Sequence, residues 1–158
     1  MLVERNFEKL RLGVVSPMAN EANTAVEFVQ RVLDNCRSVP HTNLFVVIDK
    51  ISTDATRALL EELSARQPKL RVVWAPENKC VVDAYVRGYR EALTTGCDWI
   101  LEMDAGFSHQ PDRSLRFLPV FGRAVTARLG AGLRSRGHTG TGPGKGSSSV
   151  VAGLTSPT

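Results

Sequence analysis

Asp104 is the acid best placed to do chemistry in this chain. It closes an apolar run, Trp99-Ile100-Leu101, that is broken only by Glu102 before Met103; Ala105 and Gly106 follow. A short apolar run that ends in an acid and then a glycine is the pattern of a buried strand delivering a carboxylate to a loop. Asp49 repeats the arrangement, since residues 44–49 read LFVVID. In open α/β sheets, ligands bind in the crevice beyond the carboxyl ends of the strands. A carboxylate carried there can hold a hard cation or face a phosphate-bearing ligand. Mg²⁺ or Mn²⁺ suits such a place, because these ions prefer oxygen donors, and Mg²⁺ commonly takes only one or two carboxylates beside phosphate oxygens.

The elements that must position these acids are legible in the patterning. Residues 12–18, 44–49, 70–75 and 97–103 are short apolar runs that predict strands. Continuous runs such as LFVVID suit strands covered on both faces of a parallel sheet. Between them lie helical patterns. Val26, Val29, Leu33 and Cys36 recur at spacings of three and four, with Asn20 or Asn23 as candidate cap. Leu59, Leu60 and Leu63 form the stripe of a second helix, which Ser52 or Thr53 can cap and whose positive end suits Asp54. A third helix covers about residues 81–95 and stops at Gly96. Its Ala84, Gly88 and Ala92, at i, i+4 and i+8, make a smooth face for close approach. Four strand–helix alternations with short loops predict an α/β fold, a mostly parallel sheet with helices on both sides. Pro111 and Asp112 open a further helix, with Leu115, Leu118 and Phe121 on one side.

Composition narrows the function classes. A length of 158 residues predicts one domain. No apolar run approaches the roughly 20 residues needed to span a bilayer, and the charged start, MLVERNFEKLRLG, lacks a signal-peptide core. The net charge of +4 is uneven. Arg123, Arg128, Arg134, Arg136 and Lys145 face no acid after residue 122, so residues 1–122 are near neutral. No basic stripe runs through the folded part, which argues against nucleic acid as a partner. Cys36, Cys80 and Cys97 have no metal-ligand spacing and read as reduced thiols of a cytoplasmic protein.

The stretch WILEMDAGFSHQP resembles the Asp-x-Asp segment of family 2 glycosyltransferases, enzymes of the GT-A fold. It is most similar to the branch that makes polyprenol-phosphate sugars, as dolichol-phosphate mannosyltransferase does. That branch reads Asp-Ala-Asp, a hydrophobic residue, then Ser-His or Gln-His and Pro; Gly106 stands here for the second aspartate. Further motifs follow in the family's order. Pro17, Asn20 and Glu21 match Pro-x-x-Asn-Glu, which in the family grips base and ribose. Asp49, Ser52, Asp54 and Thr56 match Asp-Asp-x-Ser-x-Asp-x-Thr, with Lys50 for the second acid. Asn78 matches Asn-x-Gly, with Cys80 for the glycine, and Ala84-Tyr85 with Gly88-Tyr89 resemble Ala-Tyr-x-x-Gly.

The resemblance covers about residues 12–121. It implies a GT-A, Rossmann-like three-layer sandwich in residues 1–122, C-terminally truncated, followed at 123–158 by a Gly-, Ser- and Arg-rich tail whose composition predicts disorder. It also implies an inverting, metal-assisted sugar transfer from a GDP- or UDP-sugar to a polyprenyl phosphate, at the membrane surface. Pro17, Asn20, Glu21 and Asp49 would bind the donor nucleotide, and Asp104 with Ser108 the Mg²⁺ or Mn²⁺. No catalytic base is assigned, since no acid follows Asp112; a phosphate acceptor is already ionised and needs no strong base. A second reading keeps the fold and drops the transfer: a donor-domain remnant that at most binds nucleotide.

Overall fold

The computed structural model describes residues 9–105 and 150–152. Strands and helices alternate in the order β1 (Arg11–Met18), α1 (Ala25–Asn35), β2 (His41–Ile48), α2 (Thr56–Arg66), β3 (Leu70–Trp74), α3 (Val81–Thr94), β4 (Trp99–Glu102) and β5 (Val150–Ala152). The sheet order is β3-β2-β1-β4-β5. β1 through β4 are mutually parallel, as expected, and β5 joins β4 antiparallel. Val150–Ala152 belong to the stretch read as a tail; the rest of 123–158 lies outside the described residues.

Strand alternation sorts the core into two layers. Val14, Met18, Leu44, Val46, Ile48 and Leu101 turn to one face, where Phe28, Val29 and Val32 of α1 and Leu60 of α2 cover them. Val15, Phe45 and Ile100 turn to the other and meet Ala92 of α3, while Val47 and Val73 meet Ala84. This is the three-layer α/β sandwich. The buried stripe of α1 is Ala25, Phe28, Val29 and Val32, continued by Cys36. Of the stripe read from the sequence, Val29 and Cys36 belong to it, while Val26 and Leu33 lie at its margins and are only partly buried.

The starts of α1 and α2 differ from expectation, whereas α3 stops at Gly96 as expected. The N-caps of α1 and α2 are Thr24 and Ala55, neither making a side-chain cap. Asn20, Ser52 and Thr53, read as caps, instead bond between loops, as described below. α3 ends as a Schellman turn: the Gly96 amide donates to Leu93 O at 2.9 Å and the Cys97 amide to Ala92 O at 3.0 Å. Gly96 takes φ +81° there. Cys97 is thus committed to the turn, and β4 starts two residues later than the apolar run suggests.

Candidate functional site

At the carboxyl edge of the sheet, the loop after β1 is stapled to the loop after β2. Asn20 donates its amide N–H to Ser52 Oγ (3.1 Å) and its side-chain N–H to Ile51 O (3.2 Å), and Asn20 Oδ1 accepts from the Thr53 amide (3.0 Å). The Glu21 amide donates to Thr56 Oγ1 (2.8 Å) and the Ala22 amide to Asp54 Oδ2 (3.0 Å). Asn20 reaches this geometry with φ +57°, a left-handed conformation that asparagine tolerates. Asp49 folds its own turn, accepting the Ile51 amide at Oδ1 (2.9 Å), and is 8% exposed. Glu21 accepts the Thr24 hydroxyl at Oε2 (2.7 Å).

Asp54 is the hub of the staple. Its carboxyl is held below the usual aspartate range, first by the Thr56 hydroxyl, then by the Thr56 amide, with Ala22 and Ser52 adding donors. A depressed folded-state pKa contributes stability above the ordinary aspartate value, and that stability is lost as pH falls through the folded value. Amide protection factors of Ala22 and Thr56 are therefore expected to hold above about pH 4 and to fall on further acidification. Asp54→Ala should lower them at every pH and remove the pH dependence. Unchanged protection in that variant would show that backbone geometry alone joins the loops.

On the other side of β1, Asp104 stands exposed just past β4. The Tyr85 hydroxyl of α3 donates to Asp104 Oδ1. Glu102, two residues earlier and on the same strand face, completes a three-residue cluster. Burial raises the Glu102 carboxyl above the usual range, and the Asp104 charge adds to it. The Tyr85 phenol is raised by burial first, then by the Asp104 bond and charge, so it stays protonated and remains the donor. Cys36 and Cys97 are poor nucleophile candidates, because burial pushes their thiols up to about 11; Cys80 is exposed.

Pro17 marks the gap between the two clusters. β4 ends opposite Val15, with Glu102 as its last partner, and the Met103 amide donates to Val15 O (2.9 Å). Residue 17 would next bond on that side, where the ladder has stopped, so the missing proline N–H leaves no donor unmatched. β1 also pairs with β2 on one flank and β4 on the other, while the chain reaches β4 only after β3. This is the strand-order reversal at which open α/β sheets bind ligands. Asp49 and Asp104 follow β2 and β4, the two strands that flank β1. A separate cavity of about 270 Å³, lined by Arg11, His41, Lys69 and Cys97, lies at the amino edge, away from these acids.

Pro17, Asn20, Glu21, Asp49 and Asp104 thus share one sheet edge, whereas Ser108 and Gly106 lie outside the described residues. Asn20 and Glu21 spend their side chains on loop structure, leaving Asp49 and Asp104 as the acids that frame the gap. Asn78, at the same edge, is 5% exposed with its side-chain N–H₂ unpartnered among the described residues. The carboxylates on the Asp104 side are hard oxygen donors of the kind a divalent cation takes, but no group of three His, Cys, Asp or Glu gathers among the described residues to cage one. Sequence reasoning passed over Tyr85 and Glu102 as site residues. Glu102 had a signal, a charge in an apolar run at even spacing from Asp104.

Comparison with known proteins bears on this arrangement. The family profile described as glycosyl transferase family 2 matches residues 13–142. The chain is 31% identical over 109 residues to an undecaprenyl-phosphate mannosyltransferase of Micrococcus luteus, a match covering 69% of this chain and 43% of the relative. It is 30% identical over 122 residues to a polyprenol monophosphomannose synthase of Mycolicibacterium smegmatis, covering 77% of this chain and 44% of that one. The chain thus spans less than half the length of the curated relatives it matches.

Proposed function

The chain belongs to glycosyl transferase family 2, and from that premise we propose that it carries the donor half of a sugar transfer from a nucleotide-diphospho-sugar to a polyprenyl phosphate. The observation that carries the reading is the pair of acids, Asp49 and Asp104, set either side of β1 at the strand-order reversal. The names of the two relatives favour a lipid-phosphate acceptor and a mannosyl donor.

In this reading the nucleoside end lies against the stapled loops, with Asp49 and Pro17 toward it. The diphosphate extends across the open flank of β1 toward Asp104. Asp104, its carboxylate oriented by Tyr85, would hold a Mg²⁺ or Mn²⁺; when bound, that ion neutralises charge on the leaving diphosphate. The staple matters because a binding loop fixed in advance loses less entropy on ligation. The lipid phosphate attacks as an anion, so the absence of an assigned base is no obstacle. Inversion at the sugar carbon follows from a single displacement. Access to a lipid acceptor is proposed to be from the membrane surface; among the described residues no helix is long and apolar enough to cross a membrane.

Isothermal titration with GDP and with UDP, each with and without Mn²⁺, tests the donor site. The expected result is binding of one nucleotide that Mn²⁺ strengthens. Equal indifference to both nucleotides in either condition would remove the donor reading.

A further inference from the structure

We propose that Tyr85 is a positioning residue for Asp104: its hydroxyl holds one carboxylate oxygen, fixing the rotamer in which the other meets a ligand at the carboxyl edge. What the ligand is rests on the donor reading above; the orientation itself does not.

Three observations carry it. First, the bond joins α3 to the end of β4 across 19 residues, and among the described residues no other hydrogen bond reaches the Asp104 side chain. A carboxylate only accepts, so the phenol must donate. Second, the Tyr85 ring is itself held. It packs on the Val15, Phe45, Ala92, Cys97 and Ile100 cluster, beside the Tyr89 ring at 6.2 Å between centroids. A tyrosine clamped at its ring has two side-chain torsions already spent, so its hydroxyl is a fixed point. Third, α3 lies close enough for the reach because Gly88 meets Val15 and Val47 without a side chain between them. An exposed aspartate at a strand end otherwise samples several rotamers, and each must be given up on binding. Hydrogen bonds that orient a ligating carboxylate are commonly worth ten- to a hundredfold in metal affinity.

The test uses the full chain. Titration with GDP and UDP gives the ratio of affinities with and without Mn²⁺. Tyr85→Phe, which keeps the ring and removes the hydroxyl, is expected to lower that ratio about tenfold. Tyr89→Phe, one turn along, should leave it unchanged. Independently, three-bond couplings from Asp104 Cγ to its backbone N and C′ report its side-chain rotamer in the free protein. One rotamer in the natural chain and averaging in Tyr85→Phe support the proposal. Averaging in the natural chain, or a single rotamer kept in Tyr85→Phe, overturns it. A natural chain whose nucleotide binding ignores Mn²⁺ removes the donor reading instead, and the couplings then decide the positioning role alone.

Discussion

Gly88→Ala is expected to destabilise the chain by about 1–2 kcal/mol, although alanine is the better helix former. A Cβ at position 88 would stand 2.2 Å from Val15 Cγ1 and 3.2 Å from Val47 Cγ2. Val15 is fully buried, and a β-branched side chain has little freedom to turn away. Replacing glycine in a helix interior gains about 0.5–1 kcal/mol, but overpacking a tight core costs about 1–3 kcal/mol and sometimes more, so the clash wins. Relief by moving α3 outward would also draw the Tyr85 hydroxyl away from Asp104, so the Mn²⁺ effect on nucleotide binding should weaken with stability. Chemical denaturation of Gly88→Ala, Val15→Ala and the double variant checks the cause. Val15→Ala alone opens a cavity and destabilises. In the double variant the new methyl occupies the vacated space, so the costs should fall short of their sum by about 1–2 kcal/mol. Strict additivity would mean that the Gly88–Val15 approach does not set the requirement for glycine.

What the sequence made legible here is what depends on near neighbours in the chain. The runs at residues 12–18, 44–49 and 70–75 are strands because a parallel sheet covered on both faces asks for unbroken apolar segments, and they became β1, β2 and β3. Ala84, Gly88 and Ala92 read as a close-approach face and are all buried. The misreadings of Asn20, Ser52 and Tyr85 arose where a residue's partner is distant in sequence. Asn20 and Ser52 have the composition of helix caps, yet they bond each other's loops across 32 residues. That contact exists only because β1 and β2 lie side by side, which no local pattern states. Cys97 looked like the start of a strand because it is apolar, but Gly96 at positive φ draws it into the end of α3. Tyr85 is the clearest case. Its meeting with Asp104 needs the rotation of α3, the length of β4 and the side of the sheet that α3 covers, and only the last was open to inference. Glu102 was open to inference from spacing alone, since even separation puts it on the face of Asp104.

Asp104→Asn is expected to abolish the Mn²⁺-dependent gain in nucleoside-diphosphate affinity while leaving metal-free binding intact or slightly tighter. The two signs differ for an electrostatic reason. Without a cation, Asp104 is an anion near where the diphosphate would lie, and Glu102 adds to the negative field beside it; removing one charge relieves repulsion. With a cation bound as proposed, the same charge would hold the ion between protein and phosphate. Asparagine keeps the shape and still offers a carbonyl oxygen to the Tyr85 hydroxyl, so the variant changes charge with little change in packing. Gly106→Asp is expected to do the reverse, weakening metal-free binding and enlarging the Mn²⁺ effect, because it adds the second carboxylate of the Asp-x-Asp pattern at the position where this chain has glycine. Crossed responses of this kind, measured by titration at fixed ionic strength, are specific to a cation shared between carboxylate and diphosphate. A loss in Asp104→Asn that is equal with and without Mn²⁺ would instead make Asp104 a direct hydrogen-bonding contact of the nucleotide, and the shared-ion account would fall while the donor site stood.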